Sequence, residues 1–354
     1  IAGPCLALLE LPTHSASLAR WIRETIMTRP HFERPPLFVV GVQRSGTTLL
    51  RNILCSHPDV WVSYDCGFYR RVYEDWKNGV AHGDINAFID ALFGVRRFEM
   101  LNVSQELLRS RFEALAPLTF KEAITTVGQL CLEVDKPDAR TFGYKNPNGI
   151  LHPEFIWHMY PDARILNVIR DPRAVLGSEK ARIPANQTYR PASLVRTVSL
   201  RFNRMAETHE RIKDDPRYFA LPFADLMHDF NGAVARLLDF LDLPYNDSVE
   251  EFDEYARKNA LTPQSQMSIH ALTLRKPDPA RLYAFREELD DFERAALEDA
   301  VSPQMRRLLG EGPDFPWTRR LQARGRVTLG LVKDKLVDGV RRRPPQKLGK
   351  ADAP

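Results

Sequence analysis

The chain has 354 residues, 44% of them hydrophobic and 27% charged, which is ordinary globular composition with enough length for a sizeable core. Its 50 basic and 46 acidic residues leave a formal charge of +4, too small an excess to mark a nucleic-acid binder. Four cysteines (Cys5, Cys55, Cys66, Cys131) have no CxxC spacing and no clustered histidines, which argues against structural zinc. No run reaches the ~20 apolar residues of a membrane span, and the apolar opening Ile1 to Pro12 lacks a basic leader, so a soluble, cytoplasmic protein is the expectation.

In chain order, residues 1–34 read as a helical lead-in, with Leu18, Trp21, Ile22 and Ile26 at helical spacing and prolines closing the segment. LFVVGV (37–42) is a continuous β-rich run suited to a buried parallel strand, and TTLLRNILCSH (47–57) reads as the helix after it. Residues 84–135 carry the periodicity of a helical insertion, and TFGYK (141–145) is strand-like. ARILNVIR (163–170) is a second central strand, followed at once by a helix start with Pro172 in its first turn. Residues 193–213 form an amphipathic helix, RYFALPF (217–223) a third strand, and 229–244 a helix closed by proline. Strands alternating with helices predict an α/β fold: a P-loop-type parallel sheet flanked by helices on both faces, with helical insertions. The expected division is a lead-in over 1–34, an α/β domain over 35–316 and a basic C-terminal tail over 317–354.

Between the first strand and its helix lies Gly41-Val-Gln-Arg-Ser-Gly46-Thr47-Thr48. A glycine-containing turn there can aim several backbone N–H groups and a helix N-terminus at one anion. The spacing is that of a P-loop, but Thr47 stands where a nucleotide triphosphatase has lysine. Arg44 supplies positive charge inside the loop instead. A second candidate anion site joins Arg170, at a strand end, to Ser178, eight residues beyond it (178 − 170) on the following helix. Arginine offers a bidentate fork and serine a neutral donor, which suits a second phosphate.

These two motifs carry a resemblance. FVVGVQRSGTTLL resembles the 5′-phosphosulfate loop of sulfotransferases, and VIRDPRAVLGSEK looks like their 3′-phosphate motif with the same Arg-to-Ser spacing. FGYKNPNGILHPEFIWHMYPDARIL and FADLMHDFNGAVARLLDFLDLPY are similar to segments of the tyrosylprotein and broad bacterial sulfotransferases, although Phe223 stands where those families often have Tyr. LTLRKPDPARLYAFREEL looks like their late cofactor-contacting segment, and the resemblance covers roughly residues 35–310.

The resemblance implies a sulfotransferase that uses 3′-phosphoadenosine 5′-phosphosulfate (PAPS), leaves the 3′,5′-bisphosphate (PAP) and requires no metal. Ser45, Gly46, Thr47 and Thr48 would hold the 5′-phosphosulfate with Arg44 beside it, and Arg170 and Ser178 the 3′-phosphate. Lys145, in GYKNP, matches a family lysine on the leaving-group oxygen, while Ser265 and Lys276 are further candidates for cofactor contact. Sulfuryl transfer is in-line, so cations on the leaving side offset developing charge. A neutral hydroxyl acceptor also needs a base. Asp65, beyond His57-Pro-Asp-Val, is the carboxylate in register with a family glutamate, and Glu74, His82 and His152 are its fallbacks. The same Asp65 could simply cap a turn.

The acceptor group is a hydroxyl or an amine, the acceptor is open between sugar, peptide and small molecule, and no nucleic-acid partner is expected. The tail from residue 318 interleaves Leu and Val with Arg and Lys, as a basic amphipathic helix would, and suits weak contact with a membrane surface or polyanion. Its blander reading is a solvated tail docked by a few leucines. Two rival functions stay open: a P-loop kinase-like phosphotransferase, and a non-catalytic binder of anionic polymers.

Overall fold

The structure is a computed structural model and describes residues 29–64, 67–184, 186–309 and 312–341. β1 (Leu37–Gly41, LFVVG) is buried at every position, as a parallel strand covered on both faces must be. The chain turns into α1 (Thr47–Ser56), all ten residues of which are buried. A three-residue β2 (Val60–Val62) follows, and α2 (Ile85–Phe93), α3 (Gln105–Leu115) and α4 (Phe120–Asp135) make up the expected helical insertion. Next come β3 (Thr141–Lys145), β4 (Arg164–Ile169), α5 (Pro172–Lys180), α6 (Pro191–Ile212) and β5 (Tyr218–Pro222). After them lie α7 (Phe223–His228), α8 (Phe230–Phe240), α9 (Asp291–Ala300) and the long α10 (Trp317–Arg341). The strands form one parallel sheet in the order β2-β3-β1-β4-β5, flanked by helices.

The chain divides into two compact units, Ile1–Leu37 with Pro58–Tyr144, and Phe38–His57 with Lys145–Pro354. In the first, β2 pairs parallel with β3 in the register Val60↔Thr141 to Val62↔Gly143. The Ser63 N–H extends the ladder to Gly143 O at 2.8 Å. α4 begins with a capping box: Thr119 and Glu122 each satisfy the other's backbone N–H, which fixes the start of this 16-residue helix. Tyr144 donates to Ile124 O at 3.1 Å, and Phe142 stacks on Phe32 at 5.3 Å, which ties the strand to its covering layer. The lead-in expected over 1–34 lies mostly outside the described residues, and residues 29–36 run without helix or strand.

In the second unit β4 and β5 pair parallel from Ile165↔Tyr218 to Ile169↔Pro222. One polar network crosses this apolar pair: Asn167 donates to Tyr218 Oη at 2.8 Å, and His209 Nδ1 also lies 2.8 Å from that oxygen. Burial pushes the His209 pKa down and that of Tyr218 up, so both are neutral members of the network. α5 opens on Asp171, whose carboxylate accepts from the Arg173 N–H at 2.7 Å, with Pro172 in the first turn as its fixed φ favours. α1 is anchored although it buries charge: Arg51 donates to Leu261 O at 2.9 Å, and Asn52 to Thr273 O at 3.0 Å. α1 therefore cannot shift without breaking these hydrogen bonds.

Candidate active site

The carboxyl ends of adjacent parallel strands form the crevice where α/β sheets bind ligands. Here the carboxyl ends of β3, β1 and β4 carry Lys145, the turn 42–46 and Arg170. Lys145 closes β3 and is only 2% exposed, and the next N–H, that of Asn146, donates to Val39 O at 3.0 Å. That bond fixes the lysine's backbone beside β1.

The turn is built around two left-handed residues. Ser45 N–H donates to Val42 O at 3.0 Å, Arg44 sits at φ 71° and Gly46, the N-cap of α1, at φ 111°. A Cβ on Gly46 would lie 2.6 Å from the Phe223 ring, so both sterics and conformation demand glycine there. No side chain among the described residues caps α1. Its first N–H groups are thus left for an anion, and the hydroxyl residues Thr47 and Thr48 sit buried in that first turn. Ser45 is 0% exposed and its Oγ has no hydrogen-bond partner among the described residues. A buried, unsatisfied hydroxyl costs free energy, and a phosphate or sulfate oxygen would remove that cost.

Arg44 connects this loop to the second motif by donating from Nε to Ser178 Oγ at 3.0 Å. Arg170 donates from Nη1 to Arg44 O at 3.2 Å, and its guanidinium lies over the Phe223 ring at 4.5 Å. Its Nε is buried and has no partner among the described residues. Arg44, Ser45, Gly46, Arg170, Ser178 and Phe223 are thus one constellation within the second unit.

The charges are unevenly matched. Arg173, three residues past Arg170, is held by Asp171 at 2.7 Å, Asp314 at 2.9 Å and Glu298 at 3.4 Å. Although burial opposes its charge, these carboxylates hold its pKa above the usual arginine value. Arg170 has no such clamp. Burial first, then the neighbouring Arg44 and Arg281, push its pKa down to about 10, against weaker support from Glu288 and Asp171. It stays charged at neutral pH, yet in surroundings that favour a bound anion. Three guanidiniums collected here, one of them half-buried with its Nε fully covered, are an arrangement that a polyanion stabilises.

The other sequence candidates fall differently. Lys276 is exposed, in the stretch after Leu274. Ser265 lies in a short 3-10 turn, Gln264–Gln266. Asp65 lies outside the described residues. Among its fallbacks, Glu74 is a surface residue paired with Lys77 at 2.9 Å, His82 is exposed, and His152 is half-buried ahead of the helix Pro153–Met159. A base must reach a sequestered acceptor, which disfavours the first two.

Arg281 and Phe223 were missed from the sequence. Arg281 sits in the turn Pro279–Leu282, which packs against α7, and pairs with Glu288 at 3.1 Å. Nothing local separates it from Arg275 or Lys276 in the same run. Phe223 had a signal, its place where relatives often have Tyr, but its position under Arg170 and against Gly46 emerges only from the fold.

A family model described as the sulfotransferase family matches residues 35–247. A protein-tyrosine sulfotransferase of Drosophila melanogaster is 27% identical over 256 residues, which is 69% of this chain and 45% of that protein. The protein-tyrosine sulfotransferase 1 of Danio rerio is 24% identical over 228 residues, 64% of this chain and 58% of its own. The matches thus span about half the length of these curated relatives. Among solved structures, the sulfotransferase domain of the Synechococcus PCC 7002 olefin synthase superposes with a TM-score of 0.54 at 17% identity, covering 82% of this chain and 99% of that one. At that identity the likeness speaks to the fold. With the family model spanning more than half of its residues, the chain belongs to the sulfotransferase family.

Proposed function

We propose that the protein transfers a sulfuryl group from PAPS to a hydroxyl-bearing acceptor. The observation that carries this reading is the cation constellation itself: Arg44, tied to Ser178, beside Arg170, which no carboxylate among the described residues clamps. Two anion-binding motifs joined by one hydrogen bond suit a ligand with phosphate groups at both ends. The buried, unpartnered Ser45 Oγ and the uncapped start of α1 fit the 5′ end, and Arg170 with Ser178 the 3′ end. Thr47, in place of the P-loop lysine, removes the cation that a nucleoside triphosphate's terminal phosphates would need.

The bound donor supplies the sulfuryl group, which leaves its 5′-phosphate as the acceptor oxygen bonds to sulfur. Lys145, buried at the end of β3, holds positive charge on the leaving side, where negative charge develops. The acceptor's proton goes to a base, the role proposed for Asp65, on its register with the family carboxylate. The tyrosine-directed relatives make a phenolic hydroxyl the first acceptor to try.

The test is incubation with PAPS and a panel of acidic tyrosine peptides, small phenols and sugars, read by product mass. A sulfated product together with PAP supports the reading. Tight PAP binding without transfer to any acceptor would favour the non-catalytic binder.

A further inference from the structure

α10 shows two opposed faces. One is docked within the second unit: Ala323 is 3% exposed, Asp334 accepts from Ser193 Oγ at 2.5 Å and meets Arg190 at 3.8 Å, and Gly330 lies against α6. A Cβ on Gly330 would meet Ala192 Cβ at 2.8 Å, so the glycine is what lets the two helices approach. At ~100° per residue, Ala323, Gly330 and Asp334 share an arc of about 40°.

The opposite side is exposed and carries four large apolar residues, with Thr318, Gly325 and Thr328 between them. Trp317 is 67%, Leu321 49%, Leu329 72% and Val332 52% exposed. These four fall within an arc of about 120°, centred about 180° from the docked face. Exposed basic residues border the arc, Arg326 and Lys333 on one side and Arg324 and Lys335 on the other. Arg324 makes two bonds to Asp299 at 2.7 and 2.9 Å, and the Arg326 guanidinium lies over the Phe292 ring at 4.1 Å. The helix carries seven Arg and Lys against two Asp, a net +5, and its Asp334 faces inward.

An exposed apolar stripe with basic borders matches one surface chemically. Acyl chains take the apolar side chains, while anionic headgroups take the flanking cations. A polyanion would use the cations and leave the stripe in water. At ~1.5 Å per residue the 25 residues extend for about 38 Å, and no described helix is long and apolar enough to cross a membrane. The helix would therefore lie in the interface plane. We propose that α10 docks the protein on membranes rich in anionic lipid through Trp317, Leu321, Leu329 and Val332, bordered by Arg326, Lys333 and Lys335.

The test is co-sedimentation of the full chain with phosphatidylcholine vesicles, with and without phosphatidylserine. Binding should need phosphatidylserine and weaken with added salt. Leu321→Glu and Leu329→Glu should each lower partitioning at least about tenfold, the loss expected from withdrawing one leucine from an apolar phase. Lys333→Glu/Lys335→Glu should do likewise, and because these side chains are exposed it also serves if a leucine variant folds poorly. Equal binding to both vesicle types, or undiminished binding by the folded variants, would overturn the proposal. So would a dimer in light scattering that Leu329→Glu dissociates while no vesicle binds, which would assign the face to a second copy.

Discussion

Arg44 Nε donates to Ser178 Oγ at 3.0 Å across 134 residues of chain, so the two segments proposed to hold the ligand's phosphates are tied directly to each other. Because the pair is coupled, the losses of PAP affinity in Arg44→Ala and Ser178→Ala should not add. Ser178→Ala alone should weaken PAP by about tenfold, the value of one neutral hydrogen bond plus a loosened arginine. A calorimetric double-mutant cycle should return a coupling of about 1 kcal/mol. Strict additivity would mean that the contact plays no part in binding.

Gly46→Ala should destabilise the protein by about 2–4 kcal/mol, combining the strain of φ 111° with the 2.6 Å approach to Phe223. Adding Phe223→Leu relieves the overlap but not the backbone strain, so it should recover only part of the loss. Urea midpoints of the three proteins measure this. Full recovery in the double variant would show that the strained φ costs nothing.

Arg170→Met removes a desolvated charge crowded by Arg44 and Arg281 while leaving a side chain that can pack on Phe223. The ligand-free variant should be more stable than the parent by about 1 kcal/mol, yet gain no larger a thermal shift from PAP than from AMP. Such a trade of stability for binding separates a ligand-holding arginine from a structural one. A less stable variant that still responds to PAP would make Arg170 structural.

The two strand–turn–helix junctions were legible in the sequence. LFVVGV followed by QRSGTT, and ARILNVIR followed by DPR, each juxtapose a buried-strand composition with turn chemistry, and both became strand–turn–helix junctions. Two features were not legible. β2 is only VWV, and its parallel partner lies some eighty residues on, at Thr141, so no local pattern announces the pairing. Arg281 acts through space on Arg170, from a proline-rich turn whose neighbours carry the same charge.

Asp65→Asn keeps size and polarity but cannot take a proton. If Asp65 is the base, turnover should fall by about 10²–10⁴-fold with PAP affinity nearly unchanged, because the residue belongs to neither anion motif. If it caps a turn, asparagine should serve as well. Near-parental turnover in a normally melting variant would move the base role to His152, the least exposed of its fallbacks.

The central claim is that this constellation reads a nucleotide with phosphates at both ends. Calorimetry of PAP against AMP, which lacks only the 3′-phosphate, addresses it without knowledge of the acceptor. With no added metal, PAP should bind about 10–100-fold more tightly than AMP, the value of one charge-assisted contact to the terminal phosphate. That advantage should disappear in Arg170→Met. Equal affinity for PAP and AMP, or tighter binding of ATP with Mg²⁺ than of PAP, would contradict the account.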